Sequence, residues 1–205
     1  MSVRERKKKE RRAAILQAAE ELIGEVGYSR ATMEAIAERA GLGVATVYNY
    51  FGTKANILEA IIRPDLDRCY REAQKVIAKP DEDPGEAMAH LIDNYRILKN
   101  DWSNRRFLRA LSILPTGSDD ALATLVEEAD GKVKTQIRDL LLVFLGRGKI
   151  CSGLDLNDLT AIIFSVFNQH YADFVIHESI DAAVHFKNMR RRIALLFEQW
   201  KNDSK

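Results

Sequence analysis

Apolar residues recur along this chain in steps of three and four, the spacing of one face of an α-helix, and no run keeps the period of two that marks a strand. Ile15, Leu16, Ala19, Leu22, Ile23 and Val26 form the first such stripe, which stops at the Gly27–Tyr28 turn. Thr32 opens a second helix. Its hydroxyl accepts from an orphan backbone N–H of the first turn, and Glu34 complements the positive end of the helix dipole. Ile36, Ala37 and Ala40 face inward, and Ala37 is small enough to let another helix cross close to the backbone. Gly41 ends this helix, because a residue past a helix end often needs the positive φ that glycine adopts without a Cβ penalty. Val47 is the apolar plug between it and a third helix, Val44 to Phe51. Two short helices joined by a tight turn read as a helix-turn-helix.

Beyond Lys54 the pattern predicts helix throughout, with breaks at Pro64, Lys79 to Gly85, Pro115 to Ser118 and Gly146 to Asp155. Pro64 removes one backbone hydrogen bond, so it predicts either a kink in the helix that starts at Lys54 or the start of a new one. The last two helices carry long seams: Leu156, Leu159, Ile163, Val166 and His170, then Phe186, Met189, Ile193, Leu196 and Trp200. A second apolar line on the first of them, Phe164, Phe167, Tyr171 and Phe174, means that this helix must be covered on two sides. One side meets its own domain and the other needs a partner. The expected architecture is all-α: a basic arm and three-helix helix-turn-helix domain over residues 1–54, joined through a fourth helix to a larger helical domain over 55–205.

The third helix turns Val44, Ala45, Thr46, Tyr48, Asn49 and Tyr50 outward, where they have no core role. Hydroxyls and an amide suit phosphate oxygens, and Val44 and Ala45 suit thymine methyls in a major groove wide enough for a helix. The string AGLGVATVYNYFGTKANIL resembles the signature of the TetR family of one-component transcriptional repressors, and the likeness extends back through ILQAAEELIGEVGYSRAT, about the first quarter of the chain. The resemblance implies that Val44, Ala45 and Tyr48 face base edges, that Thr32, Thr46, Asn49 and Tyr50 contact phosphates, and that Lys54 pairs with a phosphate at the start of the fourth helix. Gly43 stands where the family most often has serine, so the third helix lacks a side-chain cap. Ala55 and Asn56 stand where acidic residues are frequent, which weakens the next cap.

The resemblance also implies a homodimer built on a four-helix interface, with Leu159, Ile163, Val166, His170, Phe186, Met189, Ile193, Leu196 and Trp200 at the contact, and a palindromic double-stranded operator to match its two-fold symmetry. It implies a small effector within the helical core. Tyr95, Trp102, Phe107, Phe144, Phe164, Phe167 and Tyr171, with Asn168 and His170 as polar handles, suit a mostly apolar or aromatic molecule carrying one or two hydrogen-bonding groups.

The net charge of +1 argues against a bulk polyanion binder, but its distribution is uneven. Residues 1–54 carry ten Lys/Arg against seven Asp/Glu, a net of +3, and most of the excess lies in Arg4, Arg6, Lys7, Lys8, Lys9, Arg11 and Arg12. Such an arm suits phosphates or a minor groove. The first residues are charged with no apolar run behind them, and no stretch is apolar for long enough to span a bilayer, so a cytoplasmic protein is expected. Cys69 and Cys151 lack metal-ligand spacing and are expected to stay reduced. His170, Asp173 and His177 share a helix face, but without a second ligand cluster they predict packing rather than a metal, and no cofactor is expected. No nucleophile elbow, glycine-rich phosphate loop or paired carboxylates point to an enzyme. The alternative to a ligand-responsive repressor is a DNA-binding architectural or partner-directed protein with a filled core.

Overall fold

The structure is a computed structural model that describes residues 2–95, 107–109, 120–177 and 179–200. Every regular element among the described residues is a helix: α1 Val3–Val26, α2 Met33–Arg39, α3 Val44–Phe51, α4 Lys54–Ala78, α5 Pro84–Asp93, α6 Asp120–Gly146, α7 Leu156–Ile176 and α8 Ala182–Glu198. None of them is long and apolar enough to cross a membrane.

One compact unit is built on α1, α2, α3 and the start of α4 as far as Asp65. Ile15, Ala18, Ala19, Leu22 and Ile23 bury one side of α1, and Ile36, Ala37, Val47, Ile57 and Leu58 complete the core around them. Burying a side chain such as Val47 contributes about 1.5–3 kcal/mol. The basic N-terminus is not a separate arm. α1 begins at Val3 behind a capping box in which Ser2 Oγ accepts from Glu5 N–H (3.2 Å) and Ser2 N–H donates to the Glu5 carboxylate (2.6 Å). No proline or glycine interrupts residues 3–12, so the charged run continues the helix that the apolar stripe defines.

α4 runs unbroken through Pro64, so of the two alternatives the start of a new helix does not occur. Just after Pro64 the chain passes from the first compact unit to the second, which takes α4 from Leu66, α5, and the chain from Val126 onward. Asp83, Asp155 and Asp181 cap α5, α7 and α8 through their carboxylates, which places the breaks near 79–85 and 146–155 where the sequence predicts them. The expected break at 115–118 lies outside the described residues. α5 lies closest to α8: a Cβ added to Gly85 would sit 3.1 Å from the Ala194 Cα, and Arg190 of α8 reaches Asp93 (2.5 Å) and Glu86 (3.0 Å) of α5. α7 lines the other flank of α8, with the Phe174 and Phe186 rings 5.0 Å apart.

Candidate nucleic-acid interface

The turn between α2 and α3 is set by one glycine and a pair of backbone bonds. Gly41 has φ +65, and the Leu42 N–H returns to the Ala37 carbonyl (3.0 Å) while the Gly41 N–H returns to Glu38 (3.1 Å), which consumes the end of α2. At the other end of α2, Thr32 Oγ1 accepts from the Ala35 N–H (3.1 Å) and keeps its own hydroxyl proton for an outside acceptor. Gly43 caps α3 with no side-chain hydrogen bond, as its sequence predicts. Its carbonyl takes the N–H groups of Thr46 (2.8 Å) and Val47 (3.3 Å).

Val47 and Phe51 are the buried side of α3. The opposite side presents Val44 (37% exposed), Tyr48 (46% exposed), Ala45 and Asn49 to solvent, with Thr46 and Tyr50 half-buried at its edges. Val44, Ala45 and Tyr48 lie at i, i+1 and i+4, so they form one patch, and α3 contains no carboxylate to repel a polyanion. A phenol and aliphatic groups flanked by an amide and hydroxyls is a surface suited to base edges with phosphates on either side. Nearby, Arg39 holds the exposed Glu25 carboxyl below its usual range through a 2.6 Å hydrogen bond, so that negative charge is paired.

The Lys54 ammonium donates to the carbonyls of Tyr28 (2.6 Å) and Ala31 (2.9 Å) and stands 4.1 Å from the centroid of the Tyr28 ring. Two of its three donors therefore fasten α4 to the turn that carries Thr32. The cap of α4 is of another kind: Thr53 Oγ1 accepts from the Asn56 N–H (3.1 Å), and the Asn56 amide donates to the Phe51 carbonyl (2.6 Å), a bond that an acidic residue could not make.

In the second unit, four residues expected around an effector come together. The Phe167 ring lies 6.3 Å from Tyr95, 6.2 Å from Phe164 and 6.0 Å from Tyr171. Gln136, absent from the sequence expectations, is fully buried beside Tyr95: the Tyr95 hydroxyl donates to its carbonyl, and its amide donates to the Tyr70 carbonyl (3.1 Å) and Gln74 Oε1 (2.9 Å). The available signal was a glutamine beside Val133, Ile137 and Leu140 on the apolar face of α6. Burial pushes the Tyr95 and Tyr171 hydroxyls above the ordinary tyrosine range, so both remain protonated donors. Phe144 is buried in α6, Asn168 is turned to solvent, and Phe107 is buried in the fragment 107–109, which groups with the first unit. Trp102 lies outside the described residues.

The expected dimer seam divides in two. Leu159, Ile163, His170, Phe186, Met189 and Ile193 are covered by the chain's own packing, because periodicity marks a buried face without saying which helix covers it. Val166, Leu196 and Trp200 are half-buried, and Ile162, Ile176, Val184 and Leu195 are the exposed large apolar residues of α7 and α8. The His170 ring is committed: Nε2 accepts from Arg192 (3.0 Å) and Nδ1 faces His185 Nε2 (3.1 Å). Among the described residues no cluster could hold a metal ion.

Residues 15–61 match the family model described as bacterial regulatory proteins, tetR family. Over 83 residues the chain is 31% identical to the HTH-type transcriptional regulator BetI of Stenotrophomonas maltophilia, an overlap of 40% of this chain and 42% of that one. The chain spans less than half the length of the curated relatives it matches. Its fold resembles that of NalD, the secondary repressor of the MexAB-OprM multidrug efflux pump in Pseudomonas aeruginosa, with a TM-score of 0.77 at 20% identity over 95% of this chain and 98% of that one. It also resembles SmeT of Stenotrophomonas maltophilia in its triclosan complex, with a TM-score of 0.74 at 19% identity over 95% and 93% of the two chains. At these identities the likeness is one of fold. The matched segment takes in α1 from Ile15, α2, α3 and the start of α4, so this part of the chain is a DNA-binding segment of the tetR family of bacterial regulatory proteins.

Proposed function

We propose that this protein is a cytoplasmic, homodimeric transcriptional repressor that reads a palindromic operator through α3 and is released by a small, mostly apolar effector. The observation that carries the reading is the outer side of α3, where Val44, Ala45, Tyr48 and Asn49 are exposed without any part in the core while Val47 and Phe51 anchor the helix beneath them. Val44, Ala45 and Tyr48 meet base edges; Thr32, Thr46, Asn49 and Tyr50 meet phosphates on either side. Lys54 acts from behind, holding the turn that presents Thr32.

Dimerisation is supported by apolar groups still to be covered on the last two helices, Ile162 and Val166 on α7 with Leu195 and Leu196 on α8. Two-fold symmetry then presents two copies of α3 to two half-sites about 34–36 Å apart. The effector site is proposed at the Tyr95, Phe164, Phe167 and Tyr171 rings, with the Tyr95 hydroxyl and Gln136 amide as the groups a ligand would engage. Gln136 also binds Tyr70 and Gln74 of α4, so its capture would be felt by the helix that begins at Lys54. The triclosan held by SmeT is a molecule of the proposed kind, apolar with a hydroxyl. The test is retardation of the gene's own upstream DNA against scrambled DNA, repeated with a panel of apolar phenols and acids. A discrete complex dissolved by one of them is expected; equal retardation of both DNAs would refute operator recognition.

A further inference from the structure

The apolar seam of α1 does not stop where the core stops. Ile15, Ala18 and Leu22 are buried at steps of three and four, and the same steps taken backwards land on Arg11, Lys8 and Arg4. Lys7 and Arg12 flank this line. Residues 3–12 are all exposed, so the first turns of α1 project beyond the core as a helical overhang, and its cationic row faces the side on which α1 packs.

The carboxylates of the overhang are occupied elsewhere. Glu5 closes the capping box with Ser2, and Glu10 pairs with Arg6 (3.5 Å), half a turn away from the row. The row is also unfavourable for the helix itself, since cations in the first turns oppose the positive end of the dipole and repel one another at i, i+3 and i+4. The base of the overhang is fixed relative to α3, because the Arg12 guanidinium stands 5.4 Å from the ring centroid of Phe51, the last residue of α3. At about 1.5 Å per residue, Arg4 lies about 12 Å further along the axis.

We infer that this overhang is a second DNA-binding element, a phosphate clamp in which Arg4, Lys7, Lys8 and Arg11 hold the backbone flanking the half-site read by α3. The inference rests on the DNA-binding function proposed above. Phosphate contacts position a protein without reading sequence, so the clamp adds affinity and salt dependence and leaves specificity to α3. DNA would also relieve the mutual repulsion of the row.

The test compares two charge-matched variants of the full-length protein, Lys8→Gln/Arg11→Gln on the row and Arg6→Gln/Lys9→Gln on the far side, with glutamine keeping helix propensity. Circular dichroism checks that both retain wild-type helix content and Tm. Affinity for upstream DNA is then measured between 50 and 200 mM salt. Each phosphate contact contributes about 0.9 to the slope of log K against log salt, so losing two contacts in each of two protomers makes the slope shallower by about 3.6. That change in the row variant, with less than half of it in the far-side variant and an unchanged ratio of specific to scrambled DNA binding, is the expected result. Equal changes in both variants, or a row change below 2, would overturn the clamp. So would a row variant with unaltered DNA slope that loses binding to phosphatidylserine vesicles, which would assign the row to a membrane. If the wild-type protein does not distinguish upstream from scrambled DNA, the operator reading itself fails, an outcome separate from these.

Discussion

Replacing Lys54 with methionine separates a structural lysine from a phosphate-binding one. The substitution keeps the length of the stem and removes two charge-assisted hydrogen bonds, to the Tyr28 and Ala31 carbonyls, together with the contact to the Tyr28 ring. A hydrogen bond to a charged group contributes roughly 1.5–3 kcal/mol net, and a carbonyl left unsatisfied costs roughly 1–3 kcal/mol when buried. Lys54 is half-buried, so part of that loss returns through water, and about 2–4 kcal/mol is expected. For a chain of this size, 1 kcal/mol shifts Tm by about 2–4 °C, which gives a fall of roughly 4–16 °C in a melt followed by circular dichroism. Below that melt, the slope of log K against log salt on upstream DNA should match wild type, because no phosphate contact has been removed. A Tm within about 2 °C of wild type, with a slope shallower by about 0.9 per protomer, would instead assign Lys54 to a phosphate.

Gly85→Val places atoms against the Ala194 backbone, which cannot move aside as a side chain would, and should lower stability by about 1–3 kcal/mol in denaturant titration, with Gly85→Ala at the lower end. Gln136→Leu strands the Tyr95 hydroxyl and the Gln74 amide oxygen, and should cost about 2–4 kcal/mol while weakening any effector response, as read by Tm and by release from DNA. Burial, His185 and Arg192 lower the His170 pKa from 6.5, so between that value and its folded pKa the unfolded state binds more protons. Stability should therefore fall as pH drops below 6.5, and His170→Gln should flatten that part of the stability curve.

How much of this molecule could be read in advance depended on how locally each feature is determined. Gly41, Thr32 and Gly43 behave as their residue types dictate, because a positive φ, a hydroxyl cap and a missing cap are settled within four residues. The fate of Lys54 is settled by two carbonyls more than twenty residues away in sequence, a distance no spacing rule reports. Periodicity identified Leu159, Ile163, Met189 and Ile193 as buried, but a seam packed within one chain and a seam packed between two chains carry the same pattern. Gln136 escaped because a polar residue on an apolar face reads as an interruption until its partners, Tyr70 and Gln74 of α4 and Tyr95 just past α5, are in view. The charged N-terminus read as an arm because charge density was weighed above the absence of any helix breaker between Val3 and Arg12.

Whether the outer side of α3 reads DNA is decided by nuclease footprinting of the upstream region with wild-type protein and with Tyr48→Ala. Tyr48 is 46% exposed, so its truncation should leave Tm within about 1–2 °C of wild type, in line with the small effect of most surface substitutions. Wild-type protein should give a discrete, two-fold symmetric protected site that disappears in the folded variant. An identical footprint from both proteins would contradict it.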